Sequence, residues 1–264
     1  TNFSNHAYKM GPIHYGTMER GAKTASGAHI LWPAKIGAFS MAMGKIETHP
    51  DTSLFPFSYV IGGPRRTSLK PGQNLCTVGT YRDIVKWPKR DKRPLSARRS
   101  LITFDWLSPY VAERIKKAIA ALEQLQEEQG SDADEYSLNG YSISASALQR
   151  GLFYYDMALR MYEGSDTTTE WTDLLGLLAP TEAVQQILED ITSGDINSIE
   201  ALESRMRDIH DSYAQWKGYN ENDAEREQAI AEWKEAIRRD AEREYEMGDV
   251  SEEQLADFLE GLKN

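Results

Sequence analysis

Arg82, Lys86, Lys89, Arg90, Lys92, Arg93, Arg98 and Arg99 crowd one short segment, and only Asp83 and Asp91 oppose them. Trp87 and Pro88 sit in its middle. Guanidinium forks meet phosphate or carboxylate oxygens two at a time, and a stiff aromatic-proline pair can stack on a base or sugar. The chemistry this suggests is binding of phosphate, a nucleotide or a nucleic acid. Nucleic acid ranks last, because the belt is compact, the whole chain carries −11 and no known nucleic-acid module is present. A competing reading makes the belt a linker packed on acidic helices, and both stay open. Glu19, Arg20 and Lys23 form a second polar group, which would either line a cleft between protomers or face solvent. The anion-binding candidates are therefore Arg20, Lys23, Arg82, Lys86, Lys89 and Arg90.

Other chemistries find little support. Cys76 is the single cysteine, which excludes an intrachain disulfide framework and a cysteine-cluster zinc site and suits a reducing, cytoplasmic setting. No His-x-x-x-His pair or acidic calcium loop occurs, so no metal is implied. A Walker A loop and a dinucleotide fingerprint are both lacking, and the residues name no cofactor. No apolar run approaches the ~20 residues of a membrane helix, so no membrane partner is expected. The aromatic face Phe153, Tyr154, Tyr155 and Tyr162 is expected to be helix packing rather than a ligand site.

Composition divides the 264 residues. Ten of 19 glycines lie in the first 79 residues, and eight of ten prolines lie before residue 95. Residues 60–100 carry eleven basic and two acidic groups, whereas residues 101–264 carry 14 basic and 36 acidic ones. Helical patterning fills the acidic part. Ser108-Pro109 opens a helix whose stripe Val111, Ile115, Ala118, Leu122 and Leu125 runs to Gly130. A second helix follows the polar loop at Asn139-Gly140 and ends by Gly164. Thr167 with Glu170, Asn197 with Glu200 and Ser251 with Gln254 have capping-box spacing and predict helices over 168–178, 198–218 and 251–262. Pro180 starts another, and 222–247 reads as a long charged surface helix.

The N-terminal part follows a different rhythm. Glycines at 11, 16, 21 and 27 recur every five or six residues, and Ile36-Gly37-Ala38-Phe39-Ser40-Met41 has the form of a hexapeptide unit. The run Phe55-Pro56-Phe57-Ser58-Tyr59-Val60-Ile61-Gly62-Gly63-Pro64-Arg65 resembles the segment that closes the solenoid of hexapeptide-repeat transferases. More broadly, "GPIHYGTMERGAKT", "LWPAKIGAF", "DTSLFPFSY", "VGTYRDIVKWPKRDKR" and "LQRGLFYYDMALRMY" resemble a bacterial family of hexapeptide-type proteins that has no established reaction. The likeness covers residues 9 to about 163.

The resemblance implies an α+β chain: a short left-handed parallel β-helix over 1–63, a basic extended arm over 64–104, and a domain of six to seven helices over 105–264. It also implies a homo-oligomer, trimeric in the transferases of the broad superfamily. Too few coils fit before residue 62, so Thr1 is expected in mid-solenoid, in the C-terminal portion of a longer protein. Related acetyltransferases use a histidine as general base, which makes His6 and His14 the catalytic candidates; His29 and His49 complete the set in this region. The expected function is binding of, or action on, a phosphorylated sugar or sugar nucleotide, as an acyl- or nucleotidyl-transferase. The alternative is a noncatalytic oligomeric scaffold or carbohydrate-binding module.

Overall fold

Between Gly16 and Lys70 the chain alternates strands of two to four residues with tight turns. A computed structural model describes residues 15–63, 66–165 and 169–263. The strands are β1 (Gly16–Met18), β2 (Lys23–Thr24), β3 (His29–Ile30), β4 (Ala34–Ile36), β5 (Met41–Met43), β6 (Lys45–Ile46), β7 (Tyr59–Gly62) and β8 (Thr67–Lys70). β1 with β4 and β3 with β6 form separate two-stranded parallel ladders. A six-stranded sheet runs β2-β5-β7-β8-β10-β9, where β9 (Glu135–Leu138) and β10 (Tyr141–Ser144) come from far along the chain. That sheet is mixed: β2, β5 and β7 are parallel, β7 and β8 antiparallel, β8 and β10 parallel, β10 and β9 antiparallel.

This corrects the expected fold. The described residues form small, split, mixed sheets followed by helices, with no left-handed parallel β-helix. The regular glycines mark the turns between short strands; Gly21, for example, has φ 66° and its missing Cβ leaves room for the Phe39 ring. The apolar run ending in Gly62-Gly63 does not close a column. Its strand β7 turns back antiparallel on β8, and a Cβ at Gly62 would collide with the Lys45 carbonyl. Ser58 satisfies the bend before β7, since its Oγ donates to Phe55 O at 2.8 Å and its N–H donates to Ser40 Oγ at 3.0 Å.

The segment expected as an extended arm is partly helical. Thr77 Oγ1 accepts from Thr80 N at 3.2 Å and caps α1 (Val78–Arg90), with Tyr81 and Ile84 packed against the main core and Pro88 in the last turn. α2 (Pro109–Gln129) and α3 (Ala145–Met161) follow. Ser108 occupies the cap position of α2 without a side-chain cap bond, so Pro109 at the first turn carries the start signal. The fully buried Tyr155 of α3 donates its hydroxyl to Pro56 O at 2.8 Å, which fastens α3 to the bend before β7. Phe153 on the same helix is exposed.

The helix expected over 168–178 is instead a hairpin of β11 (Trp171–Leu174) and β12 (Leu177–Pro180), turning at Leu175 and Gly176. α4 (Thr181–Ser193), α5 (Ile199–Lys217), α6 (Asp223–Glu246) and α7 (Glu252–Lys263) complete the order. Asp240, buried within α6, accepts from Val78 N at 3.0 Å, so a carboxylate meets the open N–H groups at the start of α1. One main core extends in sequence from Ile30 to Leu262, and a smaller one gathers Leu177, Ala179, Ile187 and Ile209 under the hairpin. Aromatic contacts run from Phe39 to Phe57, Trp106, Trp233 and Tyr81, joining the N-terminal strands to α6 and α1.

Arg20, just after β1, is tied by polar contact to the segment 101–107 and to the β11–β12 hairpin. Its Nε donates to Asp173 Oδ2 at 2.7 Å, Nη1 to Asp105 O at 3.1 Å and more loosely to Thr103 O at 3.4 Å, and Nη2 to Gly176 O at 3.1 Å. The side chain is 2% exposed. Removing one partner of a buried pair strands the other charge, so Arg20→Met should cost about 3–5 kcal/mol in urea unfolding, with part recovered in Arg20→Met/Asp173→Leu. A loss under about 1 kcal/mol would show that the pair is not a structural tie.

Candidate functional site

The general-base candidates His6 and His14 lie outside the described residues. Arg20, expected to bind an anion, is already held by Asp173 and three backbone carbonyls. Lys23 is paired with Asp83 at 2.8 Å, a tie from β2 to α1. The remaining four candidates come together: Arg82, Lys86, Lys89 and Arg90 are all exposed on α1, at steps of four, three and one residues. That spacing brings them to one helix face. Lys86, Lys89 and Arg90 form no ion pair among the described residues, and the charge of Arg82 is felt by Glu244. Arg93 and Arg98 behave differently. Both fold back on Asp91, which Arg93 grips at 2.8 and 2.9 Å, and the Asp91 carboxyl is held well below the usual range by these bonds.

Sequence reasoning missed a polar cluster around the segment 101–107. Asp105 Oδ2 accepts from Tyr213 Oη and from Lys217 Nζ, both at 2.7 Å, and Lys217 lies 3.6 Å from Glu163. Burial, and then the Asp105 charge, push the Tyr213 hydroxyl far above its ordinary range. Trp106 stacks on Trp233 at 5.1 Å, and a cavity of about 220 Å³ opens between these aromatics and the Asp105-Lys217 pair. These residues are distant in sequence and follow no motif; only the isolated pair Asp105-Trp106 beside the start of α2 offered a signal.

A second cavity, of about 310 Å³, lies where Glu19 and Arg20 meet Tyr110, Ile102 and the tip of the β11–β12 hairpin. Ala38 N donates to Glu19 Oε2 at 3.1 Å, Tyr110 is hydrogen-bonded to the same carboxyl, and the Arg114 guanidinium lies 3.5 Å over the Tyr110 ring. Burial raises the Glu19 pKa above its ordinary 4.5, against the opposing pull of Arg114, Tyr110 and Ala38. Such a carboxyl keeps its proton to higher pH and suits proton exchange with a bound group. Cys76, by contrast, is buried with its thiol pushed far up, which leaves it inert.

The raised Glu19 pKa means that this carboxyl holds more proton in the folded than in the unfolded chain between pH 4.5 and its folded-state value, so its contribution to stability falls as pH rises across that window. Glu19→Gln removes that dependence. The Tm of the variant should gain on the parent as pH rises from 4.5 toward neutrality; a difference that stays constant with pH would show that the carboxyl titrates normally.

Among the described residues no group of three or more His, Cys, Asp or Glu side chains is placed to hold a metal, and no helix is long and apolar enough to cross a membrane. Residues 1–126 match a family model described as a domain of unknown function, DUF4954, and residues 157–250 match another, DUF6819. No curated protein and no solved structure matches the chain. These two matches and the mixed sheets do not support the hexapeptide-repeat assignment suggested by the sequence.

Proposed function

We propose that the chain binds a phosphorylated sugar or sugar nucleotide, with its phosphate on the basic face of α1. The observation that carries this reading is the grouping of Arg82, Lys86, Lys89 and Arg90 on one exposed face. Packing of the belt on the acidic helices would leave these cations paired with carboxylates of those helices. Three of the four instead have no carboxylate partner among the described residues. The helix dipole accounts for basic residues in the last turn, where Lys89 and Arg90 lie, but not for Arg82 and Lys86 farther up. Several cations within two turns suit a multiply charged phosphate, and Arg and Lys together supply both forked and point-charge donors.

A ligand that binds only the native state raises apparent stability, by about 2.7 kcal/mol at a hundred times its Kd. Thermal unfolding with inorganic pyrophosphate, glucose 6-phosphate and UDP-glucose should show a rise in Tm that shrinks with added salt. The rise should vanish in Lys86→Gln/Lys89→Gln/Arg90→Gln, whose unliganded Tm should fall only slightly, because the three positions are exposed and only the favourable contact of Lys89 and Arg90 with the helix end is lost. No shift with any probe would overturn this reading in favour of a noncatalytic scaffold, for which the exposed apolar Leu188, Ile191 and Ile199 are the supporting observation.

A further inference from the structure

We propose that the cavity beside Trp106 is a second binding site, for a single uncharged sugar ring, separate from the basic face of α1. Its wall is aromatic and fixed in advance. Trp106 stacks on Trp233 at 5.1 Å and 17°, and meets Phe57 edge-on at 6.0 Å, so its orientation does not wait for a ligand. Met161 and Ile230 extend the apolar surface. Trp106 itself is only partly buried, which leaves part of its ring for the C–H face of a sugar.

The rim supplies what the hydroxyls need. Asp105 Oδ2 is occupied by Tyr213 and Lys217, whereas Asp105 Oδ1 has no hydrogen-bond partner among the described residues and can accept from a hydroxyl. Lys217 Nζ is held by Asp105 and approached by Glu163, and an ammonium has three donors. The Glu163 side chain is 61% exposed and stands at the mouth. Acceptors and a donor beside an aromatic face form the arrangement that a polyhydroxylated ring can satisfy on both its apolar and polar sides.

Size and charge narrow the class. About 220 Å³ is below the roughly 300–1,000 Å³ of drug-sized sites and has room for one ring. Two carboxylates against one ammonium leave the rim negative, which opposes a phosphate and favours a neutral ligand. The basic face of α1 lies elsewhere. Tyr81 packs on Trp233 at 5.6 Å, while the four cations occupy exposed positions on a helix face centred roughly 125° round from Tyr81.

Saturation-transfer NMR of the full chain with glucose, galactose, mannose and N-acetylglucosamine, and with adenosine as a flat aromatic control, tests the site. Saturation should reach the ring C–H protons of at least one sugar and exceed that of adenosine. Trp106→Leu should abolish it. Glu163→Gln, at an exposed position where folding is not at stake, should weaken binding by roughly tenfold, the effect of losing a charge-assisted hydrogen bond. Absence of saturation for every sugar, stronger saturation of adenosine, or unchanged binding in Glu163→Gln would overturn the proposal. Loss of the sugar signal in Lys89→Glu would assign it to the basic face and overturn the separate pocket.

Discussion

A guanidinium sealed from water must find acceptors for its fixed fork of donors, and Arg20 finds them in two separate parts of the chain. The segment 101–107 offers two carbonyls, and the β11–β12 hairpin offers a carboxylate and a third carbonyl. Because the donor directions are fixed, those parts are held in one arrangement. Thr103 N then donates to Gly176 O at 2.9 Å, and Asp173 Oδ1 accepts from Gly176 N at 2.6 Å, so the hairpin tip and the linker share one set of bonds. Both cavities depend on that placement. Ile102 of the linker faces the Glu19 cavity, and Asp105 and Trp106 line the other.

Charge is organised on a longer scale. The acidic helical part engages many of its own basic residues in pairs one turn apart, such as Arg238 with Glu235 and Glu242, Arg207 with Glu203, and Lys117 with Glu113. Among the described residues none of its carboxylates pairs with Lys86, Lys89 or Arg90, and the tie that reaches α1, Asp240, takes the start of that helix and not its basic face. An average charge of −11 therefore coexists with a local anion-attracting surface.

The helices were legible because their signals are local. Ser251 and Gln254 cap α7 reciprocally, at 2.8 and 3.2 Å, as their spacing implies. At α5 the cap is Ser198 rather than Asn197, one residue from the expected position. The strands were less legible. Asn139-Gly140, read as a loop, is the turn of the β9–β10 hairpin, with φ of 48° and 86°. The spacing of Thr167 and Glu170 suggested a helix where the chain makes β11, whose pairing with β12 and docking under Arg20 override a local capping pattern. The mixed sheet was hidden because β8 finds β10 more than seventy residues later, at Thr67 and Tyr141. For the same reason the basic face was visible as a cluster of residue types, whereas Asp105, Glu163 and Lys217 meet only through folding.

The central claim is that Arg20 fixes the linker that divides the two cavities, and hydrogen exchange at single amides tests it most directly. In the parent chain the Thr103 amide, bonded to Gly176 O, should exchange only through global opening. In Arg20→Met the same amide should exchange through a local opening, much faster than amides at the centre of α2, such as that of Ile115. Equal protection of Thr103 and Ile115 in the variant would contradict the account and show that the linker is held without the guanidinium.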